Sequence, residues 1–308
     1  MDRIALLLKS YSGDLHYAQR LLLSFNKMNT EELTLHCVVP EADLDAFRQL
    51  ASANVLVHSE ETLLGDHLVA GPLGELSAGY ANQEIVKLAF WETGFAENYF
   101  CIDSDAVLLR PFGAEEFMRD EHTPYSVLVE DKELLIEPKY FKDHWVGREQ
   151  SIRLIMDEVD LQDPIMRTSH GHQIFNARVL QSFKEDFLAS RGWTYADALL
   201  RSPYEFSWYA MWLQKSQIIP IHQREPLMKV FHNEDQHLAA ILSGVTDRDI
   251  ARGYLGVVVN SNFSRGVGML ATSDSKPDAL APYLSYSELR DLALAKAKDT
   301  LNRRFGFS

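Results

Sequence analysis

The chain has only two cysteines in 308 residues, Cys37 and Cys101. Both sit in apolar, strand-like runs, which predicts buried free thiols rather than a disulfide framework. Long hydrophobic runs are also missing. The opening Met1-Asp2-Arg3-Ile4-Ala5-Leu6-Leu7-Leu8 holds five consecutive apolar residues before Lys9. That is too few for the apolar region of a signal peptide and far short of a membrane span. A cytoplasmic location is expected, with the inner face of a membrane as its variant. Basic charge is scarce: 30 Lys and Arg stand against 44 Asp and Glu, a net charge of −14. This balance argues against non-specific nucleic-acid binding but leaves room for a local basic pocket. Neither a fixed-period repeat nor a low-complexity linker is present.

A hydrophobic content of 46% supports a sizeable core. The length allows one large domain or two small ones. Residues 4–8 read as a buried first strand, 10–14 as a turn and 15–25 as a helix with Leu22 and Phe25 on one apolar side. A second strand over 33–39, a helix over 41–51 and a third strand over 55–57 follow. This alternation predicts a mostly parallel α/β sheet. A helix over 83–93 stops near Gly94. In the later half, 126–129, 218–220, 229–232 and 255–259 read as strands, and 150–159, 179–190, 195–200, 205–214, 235–242 and 247–251 as helices. Trp208, Tyr209 and Trp212 read as core aromatics. Residues 285–307, with Lys296, Lys298, Arg303 and Arg304, suit a helix packed on the domain or an amphipathic helix at a membrane surface.

The sharpest local pattern is Tyr99-Phe100-Cys101-Ile102-Asp103-Ser104-Asp105. An apolar strand ends in two carboxylates one residue apart. Continued as a strand, the segment would point both the same way. Like charges so close repel, and burying them unpaired is costly. A divalent cation removes both costs, and Mg²⁺ or Mn²⁺ favours such oxygen ligands. The plain alternative is a strand end with two solvated aspartates. His170 and His172 have a spacing that can bind a metal, but no cysteine or third histidine lies nearby, so they read as loop residues lining a cleft.

Taken in order, these features resemble the GT-A glycosyltransferases. Lys9-Ser10-Tyr11 and Asp14 resemble the first nucleotide-contacting loop of that fold. The helix with Gln83 and Lys87 precedes the metal strand, as Lys- or Arg-bearing helices do there. Asp103-Ser104-Asp105 matches the Asp-x-Asp motif, and Leu108 to Phe112 resembles its continuation. Gln173-Ile174-Phe175-Asn176-Ala177 resembles the donor-sugar segment, with Asn-Ala where Asn-Ser-Gly is often found. His232 resembles the strand-borne histidine that completes the metal site. A helix like Glu205 to Ala210 places an acidic residue by the acceptor in a bacterial branch of the family.

The resemblance implies a GT-A catalytic domain over 1–265, with a nucleotide-binding half (1–112), a donor-sugar and acceptor half (113–265) and a helical tail over 266–308. It implies a UDP- or GDP-type sugar donor, a glycan or lipid-linked hydroxyl acceptor, and a place in bacterial surface glycan synthesis. Asp105 would ligate Mn²⁺ or Mg²⁺ directly. Asp103 would act through water or hold the ribose, His232 would add a ligand, and Lys87 would bring positive charge to the donor. In an inverting reaction Glu205 is the candidate acceptor base; a retaining reaction needs none.

Three rivals stay open. A haloacid-dehalogenase-type phosphatase also uses Asp-x-Asp, with Asp103 as nucleophile, but there the motif closes the first strand. A non-catalytic nucleotide- or sugar-binding protein would have little reason to keep both aspartates. A nucleotidyltransferase would often carry a Gly-rich phosphate loop near the N-terminus, which this chain lacks.

Overall fold

The computed structural model describes residues 1–128, 146–165, 172–231 and 234–260, with 290, 294 and 298 as isolated positions. His170, His232 and, apart from those three positions, the tail expected over 266–308 lie outside the described residues. Among the described residues the strands are β1 (Ala5–Lys9), β2 (Leu35–Val39), β3 (Val55–Ser59), β4 (Asn98–Ile102), β5 (Ala106–Leu108), β6 (Ile174–Asn176), β7 (Met228–Phe231) and β8 (Gly256–Val259).

The chain divides into two compact units built from interleaved segments. Residues 1–12, 30–103 and 113–226 make the first, and 13–29, 104–112 and 227–308 the second. No single cut separates them, because strand pairing joins segments that are distant in sequence.

In the first unit the sheet order is β3-β2-β1-β4-β6. The first four strands are parallel, with Leu7 opposite both His36 and Cys101, and β6 runs antiparallel to β4. Every residue of β1, β2 and β4 is buried. Continuous burial without polar alternation is what a parallel sheet covered on both faces requires. The expected α/β class, a mostly parallel central sheet flanked by helices, is therefore met. Both cysteines are buried and unbridged, as read from their apolar runs. Leu7, Val38, Ile85, Tyr99, Phe175 and Trp208 belong to one core cluster. Tyr209 stacks on Phe175 at 4.3 Å, so Trp208 and Tyr209 are core residues.

The helix expected over 83–93 starts earlier, as Ala78–Ala89, because the Ser77 side chain caps it by accepting from the Tyr80 N–H. A 3₁₀ turn, Phe90–Thr93, extends it to Gly94, whose φ of 67° is the left-handed stop that glycine adopts without strain. Residues 218–220 are not a strand. They follow Gln217, a left-handed helix end, and pair with nothing in either sheet.

The second unit holds a sheet of order β5-β8-β7, with β7 parallel and β5 antiparallel to β8. Helix Leu15–Met28 buries Ala18, Leu21, Leu22 and Phe25. It is tied to β5 by the Leu108 N–H donating to Ser24 Oγ at 3.0 Å. Phe231, Ile250 and Val257 form its small core.

Two histidines meet on β2 and β3 of the first unit. His36 Nδ1 lies 3.0 Å from His58 Nε2, and both rings stack on Phe95, at 4.9 and 5.2 Å. Burial, reinforced by His58 and weakly opposed by Asp2, pushes His36 down to about 4. Burial lowers His58 as well. A free imidazole titrates near ~6.5, so as pH falls the unfolded chain takes up protons first. Stability is present above about pH 6.5 and drains away toward the folded value, by up to about 3 kcal/mol for His36. The expected result is that the melting temperature of His36→Phe falls less between pH 7.5 and 5 than that of the wild type. Parallel curves in a scanning-fluorimetry series would refute it.

Candidate active site

Open parallel sheets bind ligands beyond the carboxyl ends of their strands, at the point where strand order reverses. In the order β3-β2-β1-β4 that point lies between β1 and β4. β1 ends in Lys9 and leads into Ser10, and β4 ends in Ile102 and leads into Asp103. Lys9 is buried here, 2.8 Å from Glu60 Oε2, and donates to the Ser10 carbonyl at 2.9 Å.

The helix Ala78–Ala89 brings Glu84 and Lys87 to this end of the sheet. Their spacing of three places them on one side of the helix, among buried Ala81, Ile85 and Leu88. Both are themselves buried. Lys87 Nζ lies 2.9 Å from Glu205 Oε1, 3.5 Å from Glu84 Oε2 and 3.6 Å from Asp103 Oδ1. Its ammonium also sits 4.7 Å from the centre of the Phe206 ring. Glu205 opens the helix Glu205–Ser216, where the macrodipole favours a carboxylate. The other oxygen of Asp103 faces His172 Nε2 at 3.5 Å. His172 has a φ of 64°, a left-handed conformation that costs a non-glycine residue energy and is held by its surroundings.

Burial opposes the charge on Lys87, but Glu205, Glu84 and Asp103 outweigh it and hold the ammonium well above its ordinary pKa. The two glutamates diverge. Burial first, and Glu205 second, push Glu84 well above the usual carboxylate range. Burial acts the same way on Glu205, yet Lys87 and a hydrogen bond with Glu84 bring it below that range. Glu205 is held the lower of the two because it is nearer the ammonium and sits at a helix N-terminus. Neighbouring Tyr80 is raised, mainly by burial.

The other expected residues fall in different places. The Ser10 hydroxyl is buried with no hydrogen-bond partner among the described residues, Tyr11 is half exposed and Gln83 half-buried. Gln173 is buried, and its carbonyl accepts from the Cys101 N–H at 3.0 Å. Asn176, expected at the donor sugar, instead caps a helix. Its Oδ1 accepts from the Arg178 and Val179 N–H groups at 3.0 and 3.3 Å, and its Nδ2 donates to Asn98 Oδ1 at 2.7 Å. These bonds tie the Asn176 side chain to the backbone of the helix it starts and to β4. Asp105 and Asp14 belong to the second unit, where Asp14 accepts from Ser104 Oγ at 2.9 Å. Arg20 of that unit is lowered by burial, against the opposing charges of Asp247, Tyr17 and Asp105.

The same-side argument for Asp103 and Asp105 also needs correction. β4 stops at Ile102, and Ser104 and Asp105 form a turn before β5, so strand alternation does not govern their directions. Among the described residues no group of three or more His, Cys, Asp or Glu side chains is arranged to hold a metal ion. The Asp103 side chain keeps 37% of its exposure, so it remains open to solvent-borne species.

The sequence does not single out Glu84, whereas His172 reads there as a loop residue lining a cleft. Glu84 left one usable signal, a charged residue one turn before Lys87 on an otherwise apolar helix face. The pairing of His172 with Asp103 depends on long-range packing, since the segment before β6 reaches the end of β4 only through the antiparallel β4–β6 pairing.

Fold and site define an α/β protein with a buried lysine–carboxyl cluster beside the carboxyl ends of its parallel strands. The chain belongs to the family described as "Family of unknown function (DUF6492)", whose profile matches residues 4–250. No curated protein matches it. Among solved structures it is similar to mouse xyloside xylosyltransferase 1 in the apo form, at 12% identity and a TM-score of 0.47, covering 85% of this chain and 99% of that one. It is also similar to the galactosyltransferase LgtC in complex with donor and acceptor sugar analogues, at 11% identity and a TM-score of 0.48, covering 96% of each chain. A third likeness is to the apo bifunctional glycosyltransferase WbbM, at 13% identity and a TM-score of 0.48, covering 85% of this chain and 46% of that one.

Two outcomes follow from the site geometry. Lys87→Met strips the cation from buried carboxyl groups and should cost about 3–5 kcal/mol in urea denaturation. Adding Glu205→Leu should restore part of that, because an apolar replacement of both partners is tolerated. A Lys87→Met protein as stable as wild type would contradict the buried ion pair. Asn176→Ala should cost about 0.5–2 kcal/mol through the lost cap while leaving ligand affinity unchanged. A selective loss of affinity at unchanged stability would return Asn176 to the ligand.

Proposed function

We propose that this chain is a metal-dependent glycosyltransferase. It would move a sugar from a nucleotide-diphosphate donor, of UDP or GDP type, to a hydroxyl of a glycan or lipid-linked acceptor. The observation that carries the reading is the position of Asp-x-Asp: Asp103 leaves β4 at the switch point of the parallel sheet, beside the Ser10 loop that leaves β1. Asp103 and Asp105 offer the hard oxygen donors that Mg²⁺ or Mn²⁺ prefers, and solvent reaches Asp103. Asp105 would hold the ion directly and Asp103 directly or through water, with His232, outside the described residues, as a further ligand. A cation there supplies charge neutralisation for the departing diphosphate.

In this reading the chain's own groups bind and orient. Ser10 and Tyr11 border the nucleotide, and Gln173, just before β6, lies toward the sugar. Lys87 acts on the donor through Asp103, because its ammonium is already surrounded by carboxyl groups. Glu205 is poorly matched to the acceptor base. A base must take a proton near neutral pH, and Lys87 holds this carboxylate below the usual range.

The test is thermal shift with nucleoside diphosphates, with and without Mn²⁺. A bound ligand raises the melting temperature by mass action. UDP or GDP with Mn²⁺ should raise it in the wild type, and Asp105→Ala should lose the Mn²⁺-dependent increment while staying folded. A shift indifferent to both Mn²⁺ and Asp105 would favour a binding protein. No shift with any nucleotide would overturn the proposal.

A further inference from the structure

We infer that Lys9 is a positioning residue for the loop that leaves β1: anchored on Glu60, its ammonium holds the Ser10 carbonyl and so sets how that loop meets the ligand. The effect on a nucleotide rests on the transferase reading; the fixing of the loop does not.

Every residue of β1 is buried, and Lys9 is its last. The Ser10 N–H still belongs to the parallel ladder, donating to the Val38 carbonyl of β2 at 3.1 Å. Continued, that ladder would bring the N–H two residues beyond Val38 to the Ser10 carbonyl. The residue there is Pro40, which has no N–H to give. A carbonyl left over inside the protein needs another donor. Lys9 Nζ supplies it, donating to the Ser10 carbonyl at 2.9 Å. Because the trans peptide is planar, holding this carbonyl also turns the Tyr11 N–H the opposite way, away from the ammonium. Further along, the Ser12 N–H donates to Asp43 Oδ2 at 2.8 Å. Between these two ties stands the Ser10 hydroxyl, buried and without a hydrogen-bond partner among the described residues. Leaving such a group unmade is costly, and an acceptor or donor on a ligand removes the cost.

Stability alone does not account for the lysine. Lys9 Nζ lies 2.8 Å from Glu60 Oε2, and the two side chains are 5% and 6% exposed. Replacing a buried pair of this kind with apolar residues commonly leaves a fold as stable or more so. Glu60 opens the helix after β3 and brings the opposite charge that a buried ammonium requires. The particular contribution of the pair is the donor at the Ser10 carbonyl, which no apolar side chain can provide.

The experiment compares wild type, Lys9→Met combined with Glu60→Leu, Glu60→Gln alone, and Ser10→Ala. The double variant removes both charges together and should keep its fold by circular dichroism. In it the hydrogen-bonded amides of Ser10 and Ser12 should exchange with deuterium about tenfold faster by NMR, while those of Leu6, Leu7 and Leu8 stay unchanged. Its affinity for UDP or GDP with Mn²⁺ should fall about tenfold by calorimetry. Glu60→Gln keeps the size and an acceptor but loses the charge. It should show both changes at about threefold, and it decides the matter if the double variant does not fold. Ser10→Ala should lose affinity with exchange at Ser12 unchanged, which separates the hydroxyl from the tie that holds its loop. Wild-type exchange at Ser10 and Ser12 in the Lys9 and Glu60 variants, or faster exchange with wild-type affinity, would overturn the inference. If the wild type binds no nucleotide, the transferase reading fails, while the exchange rates still decide whether Lys9 fixes the loop.

Discussion

The ammonium of Lys87 lies inside the first unit with three carboxyl groups within 3.6 Å. An isolated buried lysine would shed its proton, and isolated buried glutamates would acquire theirs. Together they settle into an arrangement in which Glu84 is pushed up, Glu205 pairs with the ammonium and Asp103 faces outward. The rest of the local structure serves that arrangement. The helix Ala78–Ala89 carries two of the groups, the first turn of Glu205–Ser216 carries the third, and the end of β4 presents the fourth. Low surrounding dielectric strengthens every interaction in the cluster and makes each missing partner costly.

The sheet decides where this cluster can act. β1 and β4 are neighbours and parallel, so their carboxyl ends lie together, and the order of strands reverses between them. Backbone leaving both strands is no longer committed to ladder hydrogen bonds. Ser10 and Asp103 therefore emerge side by side from an otherwise apolar sheet, which is the geometry that parallel α/β proteins use for phosphate-bearing ligands. His172 reaches Asp103 from the segment before β6, whose antiparallel pairing with β4 brings residues about seventy positions away to the same edge. The strained backbone of His172 belongs with this placement, since unfavourable conformations persist where packing on all sides over-determines them.

Charge of the opposite sign is rationed across the molecule. The net charge of −14 leaves few cations to spare, and two of them, Lys9 and Lys87, are buried at the ends of neighbouring strands or facing them. Each is matched to a glutamate at 2.8 or 2.9 Å. Such pairs contribute little net stability compared with apolar packing, but they fix geometry, because separating the partners leaves an uncompensated charge. Their location beside the strand ends is consistent with orientation of a site rather than with general stabilisation of the fold.

Sequence by itself determined the fold class and the alternation of the first strands and helices along the chain, while the spatial order of the strands came from the tertiary structure. Largely apolar runs at β1, β2 and β4 suit a parallel sheet covered on both faces, and Gly94 and Pro40 punctuate them by rules of backbone conformation. It also marked Asp103 and Lys87, as a carboxylate at a strand end and a lysine on a helix preceding it. The helix cap at Asn176 was not legible in the sequence, because the pattern that suggested a sugar contact there asks for the same amide. Likewise it assigned Glu205 to an acceptor, while folding placed Lys87, 118 residues away in sequence, against its carboxylate. Only the tertiary structure decided which of Glu84 and Glu205 is pushed above the usual carboxylate range and which below it. Protonation of a buried carboxyl depends on distances of a few ångströms to other ionised groups, and those distances are set by long-range packing that no local pattern of residues encodes.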